Sequence, residues 1–395
     1  MAFNMNPTRS DGYARVNYPF NGVLNPNEVF GSIYNMIISQ TVRYPELADN
    51  YGFVEMFRDE GSLFGDTKTY YAQDVLKSRE WTGDNEASNL LAIERPEDPE
   101  CQAITIDQFR MVKTSLDSYL TKRAWSTEGA FSTFQEIVRS MVGQTKKLYE
   151  VTLINTYLGS VHGNAEKSEI EVPLSDITAT GEEKNRLEAQ TIAQYLADLM
   201  VEMKDYSRSF NDYEFMRAYT EDELIVVWNS AYVNKINKLD LPTIFNKSGV
   251  MDKFAQHILP ARYFSEATTE DNVNGVSGLS KSGNAVTIGA GYNGTIITYK
   301  EGDYVDASKG NKLVHKFIGE KLPVGATFTI GEAGILDEDV ICKVITKDTI
   351  KYMASFEVST EFWNPQALVS SNMLIWGYSE PTRLYDQPCV TVHAD

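Results

Sequence analysis

Few residues in this chain have the types and spacing that chemistry demands. Gly289, Gly291 and Gly294 satisfy GxGxxG behind the short apolar run AVTI, the outline of a turn that cradles a dinucleotide pyrophosphate. Such a turn must open a helix whose first amides face the anion. Here TIITY follows, β-branched and strand-like, so the triplet reads as a hairpin turn. The four histidines, His162, His257, His315 and His393, are scattered, and none forms HExxH or meets a second histidine at helical spacing. Asp337, Glu338 and Asp339 form a carboxylate cluster near Gly334 that reads as a solvated turn, since nothing around it implies burial. GxSxG, GxxxxGKS/T and a calcium loop are absent, which leaves serine hydrolases, P-loop enzymes and EF-hands unsupported. Cys101, Cys342 and Cys389 lie far apart without CxxC spacing, so neither a disulfide framework nor a zinc knuckle is indicated. Carboxylates that converge only in space could form a glycosidase pair, but the five tryptophans are widely separated rather than arranged as repeated sugar platforms. No catalytic residue, cofactor-binding residue or metal ligand is assigned, no cofactor is expected, and the chain is expected not to be an enzyme.

The elements that would position functional residues point elsewhere. At 395 residues the chain is long enough for two or three compact units. Its 42% hydrophobic and 23% charged residues belong to a folded soluble protein. With 36 basic against 55 acidic residues the net charge is −19, which argues against gripping phosphate backbones through counterion release. Closely packed copies of so acidic a chain would repel one another unless their few Lys and Arg sat at the contacts, so salt should matter to any association. The polar stretch from Met1 to Arg15 lacks a basic region followed by an apolar one, and no run of 18 apolar residues occurs, so neither secretion nor a spanning helix is expected.

Residues 1 to about 50 read as an arm, with one apolar stretch from Val29 to Val42. The runs KTYYAQDVL from Lys68 and CQAITIDQFRMVKTSL from Cys101 predict two long strands. The acidic, Asn- and Pro-containing segment between them reads as a solvated tip, so the unit is a long hairpin. Phe131, Phe134, Val138, Met141, Leu148 and Val151 or Thr152 recur at three and four residues and predict a helix of about 45 Å stopped by Gly159. Thr180 with Glu183 has the capping-box pattern and starts a second helix through Ile192, Tyr195, Leu196, Leu199 and Met203. Leu224 to Trp228 is an unbroken apolar run, expected for a strand covered on both faces. A helix from Leu241 to His257 is expected next, then Gly-rich β-structure, then strands at Asp339–Thr346, Ile350–Ser359, Leu368–Tyr378 and Cys389–His393.

This order of arm, hairpin, long helix, mixed domain and returning strands resembles the Hong Kong 97-type major capsid fold of tailed bacteriophages. ELIVVWNSAY is similar to a buried axial-domain strand ending in an Asn-containing turn, and LPVGATFTI with the stretch from Ile350 through Trp363 to Ile375 resembles capsid proteins of short-tailed, podovirus-like phages. The resemblance implies an α+β fold with an arm over 1–55, an extended loop over 56–122 and a peripheral domain over 123–180 and 340–395 with its spine helix at 128–158. It also implies an axial domain over 181–339 that includes a β-rich insertion at about 268–335. The implied function is a structural major capsid protein of the virion. Made in the host cytoplasm, it would self-assemble into pentamers and hexamers of an icosahedral head. Partners would be many copies of itself, scaffolding, portal and head-decoration proteins, and packaged double-stranded DNA without sequence-specific contacts; no membrane partner is implied. Tyr70, Tyr71, Trp81 and Phe109 would contact the adjacent subunit, with packing in their own core as the other reading. A tail or adhesin component, or a carbohydrate-active enzyme, are the alternatives.

Overall fold

The computed structural model describes residues 51–61, 65–78, 93, 95–117, 128–237, 255–366 and 369–395. Most of the expected arm, Trp81 and the whole segment 238–254 lie outside these. The described residues of one compact unit fall within Lys113–Gln144 and Ser359–Leu374, and those of the other within Ala48–Val112, Thr145–Val358 and Ile375–Asp395.

The hairpin begins after β1 (Arg58–Glu60) and consists of β2 (Thr67–Ala72) and β3 (Glu100–Thr105), antiparallel with Tyr70 opposite Gln102. The strand expected from Cys101 to Leu116 is in fact two. β3 ends at Thr105, and β4 (Gln108–Asp117) joins a different sheet. Ile106 supplies the reason: it is fully buried against Met353 and Leu384, and its backbone N–H and C=O are taken by Asp66 and Gly65, so the chain turns around an apolar anchor.

Helix α1 (Glu128–Ser160) spans 33 residues, about 50 Å at 1.5 Å per residue. Its Val138, Val142 and Tyr149 are buried on one helical face, and Ile154 and Leu158 are buried on the opposite one, so the covered side changes toward the C-terminal turns. Gly159 does not stop it. A Cβ there would fall 2.0 Å from the Tyr263 carbonyl oxygen, so this glycine permits close backbone approach inside the helix.

A five-stranded sheet forms the heart of the larger unit, in the order β5 (Glu169–Val172), β20 (Cys389–Ala394), β16 (Val340–Thr346), β6 (Leu224–Asn229), β7 (Ala255–Leu259). All six residues of β6 are buried, as its unbroken apolar run predicts, because β16 and β7 flank it and both faces are covered. Helix α2 (Glu182–Lys204) packs Ile192, Leu196, Leu199, Met200 and Met203 against one face, on Val226, Trp228, Val344 and Val392. The predicted capping box is not formed: Gly181, with φ of 70°, takes the N-cap position and no side chain caps the helix; Tyr195 is exposed. Asn229 ends β6 by accepting from the Ala231 N–H at 3.0 Å and donating to the Val340 carbonyl at 2.8 Å, which opens α3 (Ser230–Asn237). Most of the helix expected from Leu241 to His257 lies outside the described residues, and its last three positions, 255–257, lie in β7, held parallel to β6.

Between β7 and β16 the Gly-rich region folds around its own core of Val286, Ile288, Ile296, Leu322, Phe328 and Ala333. Its strands are β8 (Ser265–Ala267), β9 (Leu279–Ser282), β10 (Ala285–Ile288), β11 (Ile296–Thr298), β12 (Gly302–Asp306), β13 (Lys312–Lys316), β14 (Thr327–Thr329) and β15 (Ala333–Leu336). The glycine triplet follows β10 and leads into β11, with no helix. The Gly289 N–H donates to the Gly278 carbonyl at 2.7 Å, and a Cβ on Gly278 would strike Tyr292, so these glycines serve a backbone crossing.

A second sheet runs β1, β17 (Ile350–Asn364), β18 (Val369–Tyr378), β4, with β19 (Thr382–Arg383) paired to β17. No helix among the described residues is long and apolar enough to cross a membrane. Leu196 is fully buried in the main core. Leu196→Ala should therefore cost about 3 kcal/mol in urea unfolding, whereas a loss under about 1 kcal/mol would mean that α2 is not closed onto the sheet.

Candidate assembly surfaces

The sheet of β17, β18 and β4 carries paired charges under α1 and, beside them, exposed apolar side chains. To the paired charges α1 contributes Lys146, Tyr149 and Glu150. The Arg110 guanidinium lies over the Tyr149 ring at 4.0 Å and pairs with Glu301. The Tyr149 hydroxyl meets that of Tyr378 at 2.8 Å, and Trp376 packs edge-on against the same ring. Lys146 reaches Glu357 at 2.6 Å and the buried Glu150 at 3.8 Å, and Tyr352 donates to Glu150 at 3.3 Å. A carboxylate with 1% exposure has no water to solvate it, so these partners keep it in place.

Side chains alternate along β4, so the neighbours of Arg110 point away from α1, and Glu357 on β17 likewise has exposed apolar neighbours. Those neighbours are Phe109 and Met111 on β4, 50% and 54% exposed, and Phe356 and Val358 on β17, also exposed. The Phe109 and Phe356 rings meet edge-to-face with centroids 6.2 Å apart, which puts them on one side of the sheet. Between them β18 offers Gly377, where a Cβ would stand 3.4 Å from the Phe109 ring. The usual pattern is thus inverted: charge faces the covered side and apolar groups face out. Such an exposed cluster is the signature of an interaction surface.

The residues singled out in the sequence divide accordingly. Tyr70 leans on the small core of Ile104, Ile106, Met353 and Leu384, and its hydroxyl donates to Asp59, whose carboxylate also pairs with Lys68 at 3.0 Å. Burial, and then that hydrogen bond, raise the Tyr70 pKa. Tyr71, the next residue, is 71% exposed. Phe109 joins the outer cluster, and Trp81 lies outside the described residues. Met111, Phe356 and Val358 escaped the sequence reading. Their signal was present in the triplets Phe109-Arg110-Met111 and Phe356-Glu357-Val358, where a single charge between two apolar residues marks alternation without saying which side is inner.

Beyond Arg110 the charge network continues into the Gly-rich region. His315 on β13 contacts Asp303 at 2.9 Å through Nδ1 and Glu301 at 3.0 Å through Nε2. The hydrogen bond to Asp303, with Glu301 adding to it, raises the His315 pKa above its ordinary 6.5. The folded chain therefore holds this proton more tightly than the unfolded one. The stabilisation is complete below about pH 6.5 and is lost as pH rises through the folded-state value. An NMR titration of the His315 ring should give a pKa above 6.5, and Asp303→Asn should bring it back toward 6.5. A wild-type value at or below 6.5 would contradict the clamp.

With this geometry in hand, comparison with known proteins is informative. The sequence profile of Phi29-like phage major capsid proteins matches residues 23–375. No curated protein sequence matches the chain significantly. Among solved structures, a chain in the capsid structure of Staphylococcus phage Andhra is similar with a TM-score of 0.53 and 10% identity, over 96% of this chain and 89% of that one. A chain in the structure of head fiber and inner core protein gp22 of native bacteriophage P68 is similar with a TM-score of 0.56 and 11% identity, again over 96% and 89%. At such identities the likeness speaks for the fold, which is the α+β fold of Hong Kong 97-type phage capsids.

Proposed function

The chain belongs to the family of Phi29-like phage major capsid proteins, and from that premise we propose how its surfaces build a shell. It is a structural protein of the virion, located in the phage head, and copies of it self-assemble into the capsid. The proposed lattice is icosahedral, made of pentamers and hexamers, in a virion of the short-tailed type. No catalytic role is assigned to it.

In this reading the apolar cluster of Phe109, Met111, Phe356 and Val358 is covered by an adjacent copy. The single observation that supports it is the contrast within the sheet: paired charges under α1 and a cluster of exposed aromatic and aliphatic side chains beside them. Burying four such side chains removes enough apolar area to favour association, at about 25 cal/mol per Å². Tyr71 and Trp81 on the extended loop would add contacts, with Tyr70 fixing the base of the hairpin through Asp59 and the local core. The arm over 1–55 and the loop over 56–122 are proposed to cross onto neighbours, and the Gly-rich region to be an insertion in the axial domain. The peripheral strands β16 and β20 would then be shared with the axial sheet, since they pair with β6 and β5 in one sheet.

Scaffolding and portal proteins, with head-decoration proteins, are the proposed transient and terminal partners, and double-stranded DNA the enclosed cargo. A net charge of −19 favours enclosure without sequence-specific contact. Phe109→Asp should leave the subunit folded, within about 1 kcal/mol of wild type, because the site is half exposed. Shell yield, measured by light scattering and negative-stain microscopy over low and high salt, should fall at least about tenfold, equivalent to the loss of one interface hot spot. Unchanged yield with Phe109→Asp and Tyr71→Ala together would refute the assigned surface.

A further inference from the structure

Three residues far apart in sequence meet where α1 hands over to the main sheet. His162 follows the helix end by two residues, Glu169 opens β5, and His393 lies near the end of β20. Parallel pairing sets Glu169 opposite Thr391, so Glu169, Thr391 and His393 share one face. Gly163 pins the intervening turn: a Cβ there would lie 2.5 Å from the Cys389 carbonyl oxygen, so only glycine lets the chain lie this close to β20. The Lys343 ammonium, buried on the same face, anchors the helix end by donating to the Val161 carbonyl at 2.5 Å.

The result is a pocket of donors. The His162 and His393 rings are parallel within 4°, with centroids 6.4 Å apart, and His162 Nδ1 stands 3.9 Å from Glu169 Oε1. One ligand atom from each of the three residues lies within 4.8 Å of the others. His162 Nδ1 is shut off from solvent without a hydrogen-bond partner, and so is the hydroxyl of the fully buried Thr391. Orphaned buried polar atoms are rare, and one on His162 and another on Thr391 of β20 call for an explanation.

We propose that His162, Glu169 and His393 form a binding site for a divalent transition metal, zinc being the ion that two imidazoles and a carboxylate suit best. Donors around a tetrahedral zinc stand about 3.4 Å apart, so binding draws this set together by about an ångström. Glu169, with its side chain 63% exposed, swings in from solvent and gives the ion its entry path, leaving the fourth position to water. Asp337, with Oδ2 3.9 Å from His393 Nδ1, is placed as the outer carboxylate that orients a ligating imidazole. The nearby Lys343 ammonium opposes a cation, and the charges of Glu169 and Asp337 offset it. The bound ion would tie the final strand to the end of α1, a cross-link between segments more than 220 residues apart in sequence.

The test is titration of zinc chloride into the EDTA-treated full-length protein, followed by calorimetry and thermal shift, with cobalt absorption as an independent readout. Expected are saturation near one ion per chain, a raised melting temperature and visible cobalt bands. His393→Asn and Glu169→Gln should each weaken binding at least about tenfold and His393→Asn should abolish the bands, while His315→Asn leaves the affinity for metal and the bands unchanged. Circular dichroism identifies any variant that misfolds, and Glu169→Gln, at an exposed position, remains informative if His393→Asn does. No saturable binding up to about 1 mM, or equal binding by wild type and both ligand variants, would overturn the site.

Discussion

Charged side chains buried between a helix and a sheet must be partnered, and that requirement organises the larger unit. Glu150 has almost no contact with water, so Lys146 and Tyr352 must stay beside it, and Lys146 in turn holds Glu357. Arg110 rests on Tyr149 and reaches Glu301. Breaking one partner of such a set leaves an uncompensated buried charge, typically a loss of about 3 to 5 kcal/mol, so the register of α1 on β17 and β4 has little freedom. Because β4 alternates, fixing Arg110 inward fixes Phe109 and Met111 outward, and the ring contact brings Phe356 to the same side. The polar constraint within one chain thus determines the apolar surface left for the next.

That arrangement suits a protein whose stability is collective. A cluster of exposed aromatic and aliphatic side chains carries a cost that a covering neighbour would remove. A strongly acidic chain stays soluble meanwhile, and its self-repulsion falls as salt screens it over about 10 Å at 0.1 M. The main sheet plays the opposite part: β6 is buried throughout, α2 closes one face and the end of α1 closes the other through Lys343. One sheet holds the subunit together and the other is left partly open.

Much of the fold was legible because its signals are local. The apolar period of α1, the unbroken run of β6 and the alternating strands near the C-terminus each belong to a single element, and all were placed within a few residues. Misplaced features depend on tertiary neighbours. Ile106 splits a run that looks like one strand because Met353 and Leu384 pull it inward, and Gly159 looks like a helix stop because its real reason is the Tyr263 backbone. The Thr180 capping box fails because Gly181 turns the chain at positive φ. Least legible was convergence across the chain: a sheet that joins residues 169–172, 224–229, 255–259, 340–346 and 389–394 brings His162 beside His393, two histidines that spacing alone had left scattered.

The relation between inward charge and outward aromatics is tested most directly by electron cryo-microscopy of assembled shells at side-chain resolution. Atoms of an adjacent copy should lie within about 4 Å of the Phe109 and Phe356 rings, with Arg110 still stacked on Tyr149 beneath. A shell in which both rings face open solvent would contradict the assignment of this face to assembly.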